Sequence, residues 1–216
     1  MSKIALGTVQ FGIDYGINSE NGQVRPEEVR SILNYAHSQN IDLLDTAPAY
    51  GNSEKVLGVA NVQNFKVVTK TRHFNNAKIS NSDIGLLKKD FSCSLTDLRQ
   101  ESFYGVLVHN ASDLLKSGAE KLYDHLQELK QAEKIEKIGV SVYDYSQLQS
   151  ILDNFDIDLV QLPFNILDRR MIDSGMLSTL RSSNTEVHAR SVFLQGLLLM
   201  SEQNRPDKFN RWSGLW

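Results

Sequence analysis

Short apolar runs alternate with helix-period segments along almost the whole chain, and that alternation limits the fold more than any other feature. Strands are expected at residues 3–7, 41–46, 66–70, 104–109, 137–142, 159–164 and 187–192. Between them the spacing predicts helices at residues 26–39, about 52–59, about 112–133, about 145–154 and about 169–183. A further long helix, capped by Ser80 or Ser82, carries Ile84, Leu87, Phe91, Leu95 and Leu98 on one face. Gly12, Gly16 and Gly22 mark a polar excursion after the first strand that reads as a small hairpin. The strand runs are apolar throughout, as in parallel strands buried on both faces. Seven strand-then-helix units with right-handed crossovers fit either a doubly wound open sheet or an eight-stranded barrel. No G-x-G-x-x-G follows the first strand, and the functional-looking residues close several strands instead of flanking one switch point. The expected fold is therefore α/β, a (β/α)8 barrel, with residues 1–216 as a single domain.

In such a barrel the carboxyl ends of the strands share one face, and the chemistry sits there. Asp45 and Tyr50 follow the second expected strand, Lys70 ends the third and His109 ends the fourth. Singly, each has an ordinary structural use. Together they make a proton-transfer set, since each supplies what another lacks. A phenol is a poor acid or base at neutral pH, and a neighbouring ammonium is expected to lower its pKa toward a working value. The carboxylate can hold a buried lysine, and the imidazole can orient a substrate oxygen. The spacing lacks the histidine and carboxylate pattern of a catalytic zinc site, so no metal is expected.

A net charge of −3 gives no reason to expect nucleic acid or an acidic membrane as partner. No apolar run reaches membrane-spanning length, the N-terminus does not read as a signal sequence, and the chain is expected in the cytoplasm. The single cysteine, Cys93, excludes an intramolecular disulfide and is expected to be a packed thiol.

At these residues the chain resembles the aldo-keto reductase superfamily. Leu6-Gly7-Thr8-Val9-Gln10-Phe11-Gly12 is similar to the family's opening strand and loop, and Leu43 to Glu54, with Asp45 and Tyr50 five apart, is similar to its signature. Val68-Thr69-Lys70 and Leu107-Val108-His109 match the strands that carry the family's lysine and histidine. The resemblance implies a catalytic tetrad of Asp45, Tyr50, Lys70 and His109, in which Tyr50 protonates the oxygen of an aldehyde or ketone that receives hydride from a nicotinamide. It implies cofactor contacts at Gly7, Thr8, Ser141, Gln161, Arg190, Ser191, Phe193 and Gln195. Val142 stands where asparagine is common, and Arg190 replaces the aromatic that usually stacks on the nicotinamide. A guanidinium can stack there too. NADPH is the family-level expectation, with NADH as the other option, and a small carbonyl compound the substrate. Tyr15, Phe74 and Phe164 are its expected hydrophobic rim.

Family members usually continue through a seventh helix, an eighth strand and an eighth helix. The sequence after Phe209, which closes on Trp212, Leu215 and Trp216, reads as a helix cut mid-pattern. A C-terminally truncated reductase with about seven strands is expected, its unpaired edges predicting self-association. The alternative is a non-catalytic relative, degenerate through loss of the C-terminal cofactor site, that acts by protein assembly. A metal-assisted hydrolase on the same fold is a weaker third reading.

Overall fold

The computed structural model describes residues 4–17, 19 and 22–215. After β1 (Leu6–Gly7) and a one-turn helix α1 (Val9–Gly12) come α2 (Pro26–Ser38), β2 (Leu43–Asp45), α3 (Ser53–Ala60) and β3 (Lys66–Lys70). The chain continues through α4 (Asn81–Leu98), β4 (Phe103–Val108), α5 (Ala119–Gln131), β5 (Ile135–Ser141), α6 (Tyr145–Leu152) and β6 (Leu159–Pro163). Two short helices, α7 (Arg170–Asp173) and α8 (Met176–Ser182), precede β7 (Glu186–Arg190). Each strand pairs in parallel with the next in sequence, giving one sheet ordered β1 to β7. The sheet curls into an incomplete barrel. Ile4 and Ala5 just before β1, Gly7 within it, and Val187 and Ala189 along β7 line one groove of about 900 Å³, and no ladder joins the two strands among the described residues.

Two apolar layers hold the curl. Between sheet and helices, Val67, Val106, Ile138, Val140 and Val160 pack against Val29, Leu87, Leu122, Leu126 and Leu148. Inside the curl, Val68, Leu107 and Leu159 form a smaller cluster. The interior is tight there: a Cβ on Gly139 would lie 2.4 Å from Leu107 Cδ2 and 2.5 Å from the Leu159 carbonyl, so only glycine fits. Pro26 opens α2, where its missing N–H is no loss. Of the two candidate caps for α4 it is Ser80 that serves, in a capping box with Asp83.

Several expectations are corrected. The helix expected at 112–133 is a 3-10 turn (Ala111–Leu115) followed by α5, and the one at 169–183 is α7 and α8. Both breaks fall at glycines with positive φ, Gly118 (+83°) and Gly175 (+76°), conformations that end a helix and start another. β7 stops before Val192 because Ser191 turns left-handed, at φ 56°. Among the described residues of the 12–22 stretch there is no hairpin, only the end of α1 and a loop; residues 18, 20 and 21 lie outside the description. Lys3 and Trp216 also lie outside it, and the expected C-terminal helix is a 3-10 stretch, Asp207–Leu215, kinked at Trp212. Cys93 is exposed on α4 and not packed.

Candidate active site

Side chains alternate along a strand, so the inward rows of β2, β3, β5 and β7 end on Asp45, Lys70, Ser141 and Arg190, and that of β6 carries Gln161 two residues before its end. His109 follows β4. Tyr50 comes from the loop after β2, which is pinned against α1: a Cβ on Gly12 would fall 1.7 Å from the Tyr50 carbonyl oxygen. Buried hydroxyls tie the same corner together. Thr8 Oγ1 donates to the Asp45 carbonyl (2.9 Å), Ser53 Oγ donates to the Thr8 carbonyl (2.9 Å), and Ser53 Oγ lies 3.2 Å from Thr46 Oγ1.

Lys70 is the electrostatic centre. Its side chain is 1% exposed, and Nζ donates to Asp45 Oδ1 (2.7 Å) and to the Thr46 carbonyl (2.8 Å). The ammonium lies 4.8 Å from the centroid of the Tyr50 ring. Asp45 Oδ1 also accepts from Gln161 Nε2 (2.7 Å), which links β2 to β6 across the interior. Burial raises the Tyr50 pKa and outweighs the lowering by Lys70, so the expected net depression is corrected and the phenol stays protonated at neutral pH. His109 moves the other way, to about 4, through burial first and then the positive charge of Lys70 and the neighbouring His73. It is a neutral imidazole at pH 7, with Nδ1 buried and unpartnered. Its ring lies edge-on to Tyr50, 6.1 Å between centroids, and to His73 at 4.5 Å. Beneath the site Glu54 bridges Thr69 Oγ1 (2.6 Å) and Ser94 Oγ (2.8 Å), joining α3, β3 and α4.

A cleft of about 810 Å³ opens over these groups. Asp45, Tyr50 and His109 line it, as do Gly7, Ser141, Gln161, Arg190, Ser191, Phe193 and Gln195. Two expected residues do not. Lys70 lies buried below the floor, and Thr8 is fully buried with its hydroxyl engaged by the backbone of Asp45. Arg190 donates to the Val142 carbonyl (3.0 Å) and stacks on Tyr143, 4.0 Å from the ring centroid. Gln195 Nε2 donates to the Tyr15 hydroxyl (3.0 Å). Of the expected rim only Tyr15 faces the cleft; Phe74 belongs to the buried core and Phe164 packs against it. Sequence reasoning missed His73, Asn110 and Tyr143, in loops beyond β3, β4 and β5, and Gln147, in the first turn of α6, all of which line the cleft. Their signal was position alone, a few residues past strands already identified.

Ser141 and Gln161 are paired neighbours on β5 and β6. Among the described residues the Ser141 hydroxyl has no hydrogen-bond partner, and with its nitrogen on Asp45 the Gln161 amide has its carbonyl oxygen free. One donor and one acceptor side by side fit a carboxamide, the polar end of a nicotinamide. Among the described residues no cluster of three or more His, Cys, Asp or Glu could hold a metal ion, and no helix is long and apolar enough to cross a membrane.

Residues 3–213 match the Aldo/keto reductase family. Aldo-keto reductase YhdN of Bacillus subtilis is 31% identical over 191 residues, 80% of this chain and 53% of that protein. The NADH-specific methylglyoxal reductase of Escherichia coli is 28% identical over 218 residues, 92% of this chain and 65% of that protein. The chain thus spans between about half and two thirds of the length of these relatives. Among solved structures, a glycerol dehydrogenase of Gluconobacter oxydans superposes with a TM-score of 0.71 at 26% identity, covering 99% of this chain and 67% of that one. The holo form of an aldo-keto reductase of Bacillus halodurans shares the fold, with a TM-score of 0.73 at 22% identity, over 95% of this chain and 66% of that one.

Proposed function

Since the chain belongs to the aldo/keto reductase family, we propose that it reduces an aldehyde or ketone to the alcohol, with Tyr50 as the acid. When bound, a reduced nicotinamide dinucleotide supplies hydride to the carbonyl carbon. The observation that carries the reading is the sealed ammonium of Lys70 beside the Tyr50 ring. Tyr50, protonated at neutral pH, gives its proton to the carbonyl oxygen as charge develops there. Lys70 stabilises the phenolate left behind, and Asp45 with the Thr46 carbonyl fixes where that positive charge sits. His109, neutral and with Nδ1 buried, leaves Nε2 to orient the substrate oxygen. Ser141 and Gln161 would hold the carboxamide, and Gly7, Arg190, Ser191, Phe193 and Gln195 would form the walls around the cofactor.

NADPH is the proposed cofactor. Because one relative is NADH-specific, the test titrates both cofactors by nicotinamide fluorescence and follows reduction of methylglyoxal, the substrate in that relative's name. Saturable binding is expected, with turnover that Tyr50→Phe lowers about 10²–10⁴-fold while binding persists. Absence of both binding and turnover would overturn the reductase reading and favour a role in assembly.

A further inference from the structure

We infer that His73 is a positioning residue for the proposed reaction: carried between two ion pairs, its imidazole restrains the ring of His109. The inference rests on the reductase reading, in which His109 orients the substrate oxygen, and adds what orients His109. A histidine ring is commonly set by a hydrogen bond from the nitrogen that faces away from the substrate. Here that bond is missing. Nδ1 of His109 is buried with no partner, and the imidazole makes no hydrogen bond among the described residues. The torsion that turns a histidine ring has broad wells, so only packing can narrow it. Two rings do so, both edge-on: Tyr50 at 6.1 Å and 85°, and His73 closer, at 4.5 Å and 80°.

His73 is exposed and its imidazole makes no hydrogen bond among the described residues, so its place depends on the backbone that carries it. The residues on either side are both fastened. Arg72 donates to Asp90 on α4 through Nε (2.5 Å) and Nη2 (3.2 Å). Asp113, fully buried in the 3-10 turn after β4, accepts from the Phe74 N–H (3.3 Å) and from Lys116 Nζ (2.6 Å), and Lys116 also donates to the Phe74 carbonyl. One ion pair thus grips both main-chain groups of residue 74, whose side chain is buried in the core. Thr71 completes the frame. Its N–H donates to the Leu107 carbonyl (2.9 Å), and its Oγ1 accepts from the His109 N–H (3.3 Å). The loop beyond β3 is therefore tied to the end of β4 at residues 71 and 74, and the contact between the two imidazoles is built in before a substrate arrives.

The test uses His73→Ala, which removes the ring, and His73→Phe, which keeps a ring without its nitrogens. His73 is exposed, so both variants are expected to fold. With methylglyoxal as substrate, His73→Ala is expected to lower kcat about 10–10²-fold with a smaller change in KM, and His73→Phe to restore most of kcat. A second readout needs no turnover. His109 is faced by Asp45 and Tyr50 from β2 and the loop after it, Lys70 on β3, His73 beyond it and Arg190 on β7, and its pKa is about 4 chiefly through burial. In imidazole NMR spectra taken from about pH 7 to about pH 5, its resonances are expected to stay nearly fixed in the wild type and in His73→Phe. In His73→Ala, with water at the ring, they are expected to titrate. An unchanged kcat in His73→Ala, a loss in His73→Phe equal to that in His73→Ala, or a His109 titration that the variants leave unchanged overturns the inference. The NMR contrast in a protein that neither binds a nicotinamide cofactor nor reduces methylglyoxal supports the restraint on His109 and overturns the reductase reading. Neither contrast nor turnover overturns both.

Discussion

The corner that holds Asp45, Tyr50 and Lys70 and the edge that holds Arg190, Ser191 and Phe193 line or underlie one cleft, yet different forces position them. At the corner both members of the ion pair are held twice over. Lys70 has two short acceptors, Asp45 two donors, and the buried hydroxyls of Thr8, Thr46 and Ser53 lock the strand ends together. At the edge, β7 has a neighbouring strand on one side only among the described residues, Val187 and Phe193 are exposed, and Ser191, Leu194 and Gln195 all sit at positive φ. The proposed acid–base groups are preorganised by collective burial, whereas the proposed cofactor wall follows a strand that pairs with β6 alone among the described residues. Preorganisation of this kind is what makes electrostatic catalysis effective.

The comparison is sharpest in stability. Lys70→Met leaves Asp45 without its buried partner and is expected to cost about 3–5 kcal/mol in chemical denaturation, against less than about 1 kcal/mol for Arg190→Met. Equal losses would break the contrast. Packing gives the next largest effect. Leu107→Ala, inside the curl, is expected to cost about 2–5 kcal/mol, and Val187→Ala, on the outer face of the edge strand, within about 0.5 kcal/mol.

Acid should act on the corner through His109. Its pKa is about 4 in the fold against an ordinary 6.5, so between those values the unfolded chain takes up a proton that the folded one refuses. Stability therefore falls as pH drops from about 6.5 to about 4, and a series of thermal midpoints should lose this part of its slope in His109→Asn. The smallest effect is expected at the edge: self-association, seen as a sedimentation coefficient that rises with concentration, and weakened by Val187→Lys without loss of thermal stability. A coefficient independent of concentration would remove the proposed role of that edge.

Much of this was legible in the residues. The strand that ends on Lys70 spans the expected residues, and the parallel order follows from alternating units joined by right-handed crossovers. Asp45, Tyr50, Lys70 and His109 were identifiable because each falls at or just after a strand end. The helix breaks at Gly118 and Gly175 were hidden, since a glycine within an apolar-periodic run does not declare its φ. Phe74 was read as a rim residue because no local pattern tells an aromatic facing a cleft from one facing the core.

The sequence by itself therefore determined the elements, their order and the residue types at the strand ends, because periodicity and strand polarity are properties of short segments. Only the tertiary structure decided which way each ionisable group moves. The Tyr50 phenol is pushed up despite a lysine beside it, and the His109 imidazole is pushed down toward neutrality. Thr8, implied as a cofactor contact, is instead sealed under the floor. Desolvation is set by every element packed around a group at once, and no segment of the chain carries that information alone.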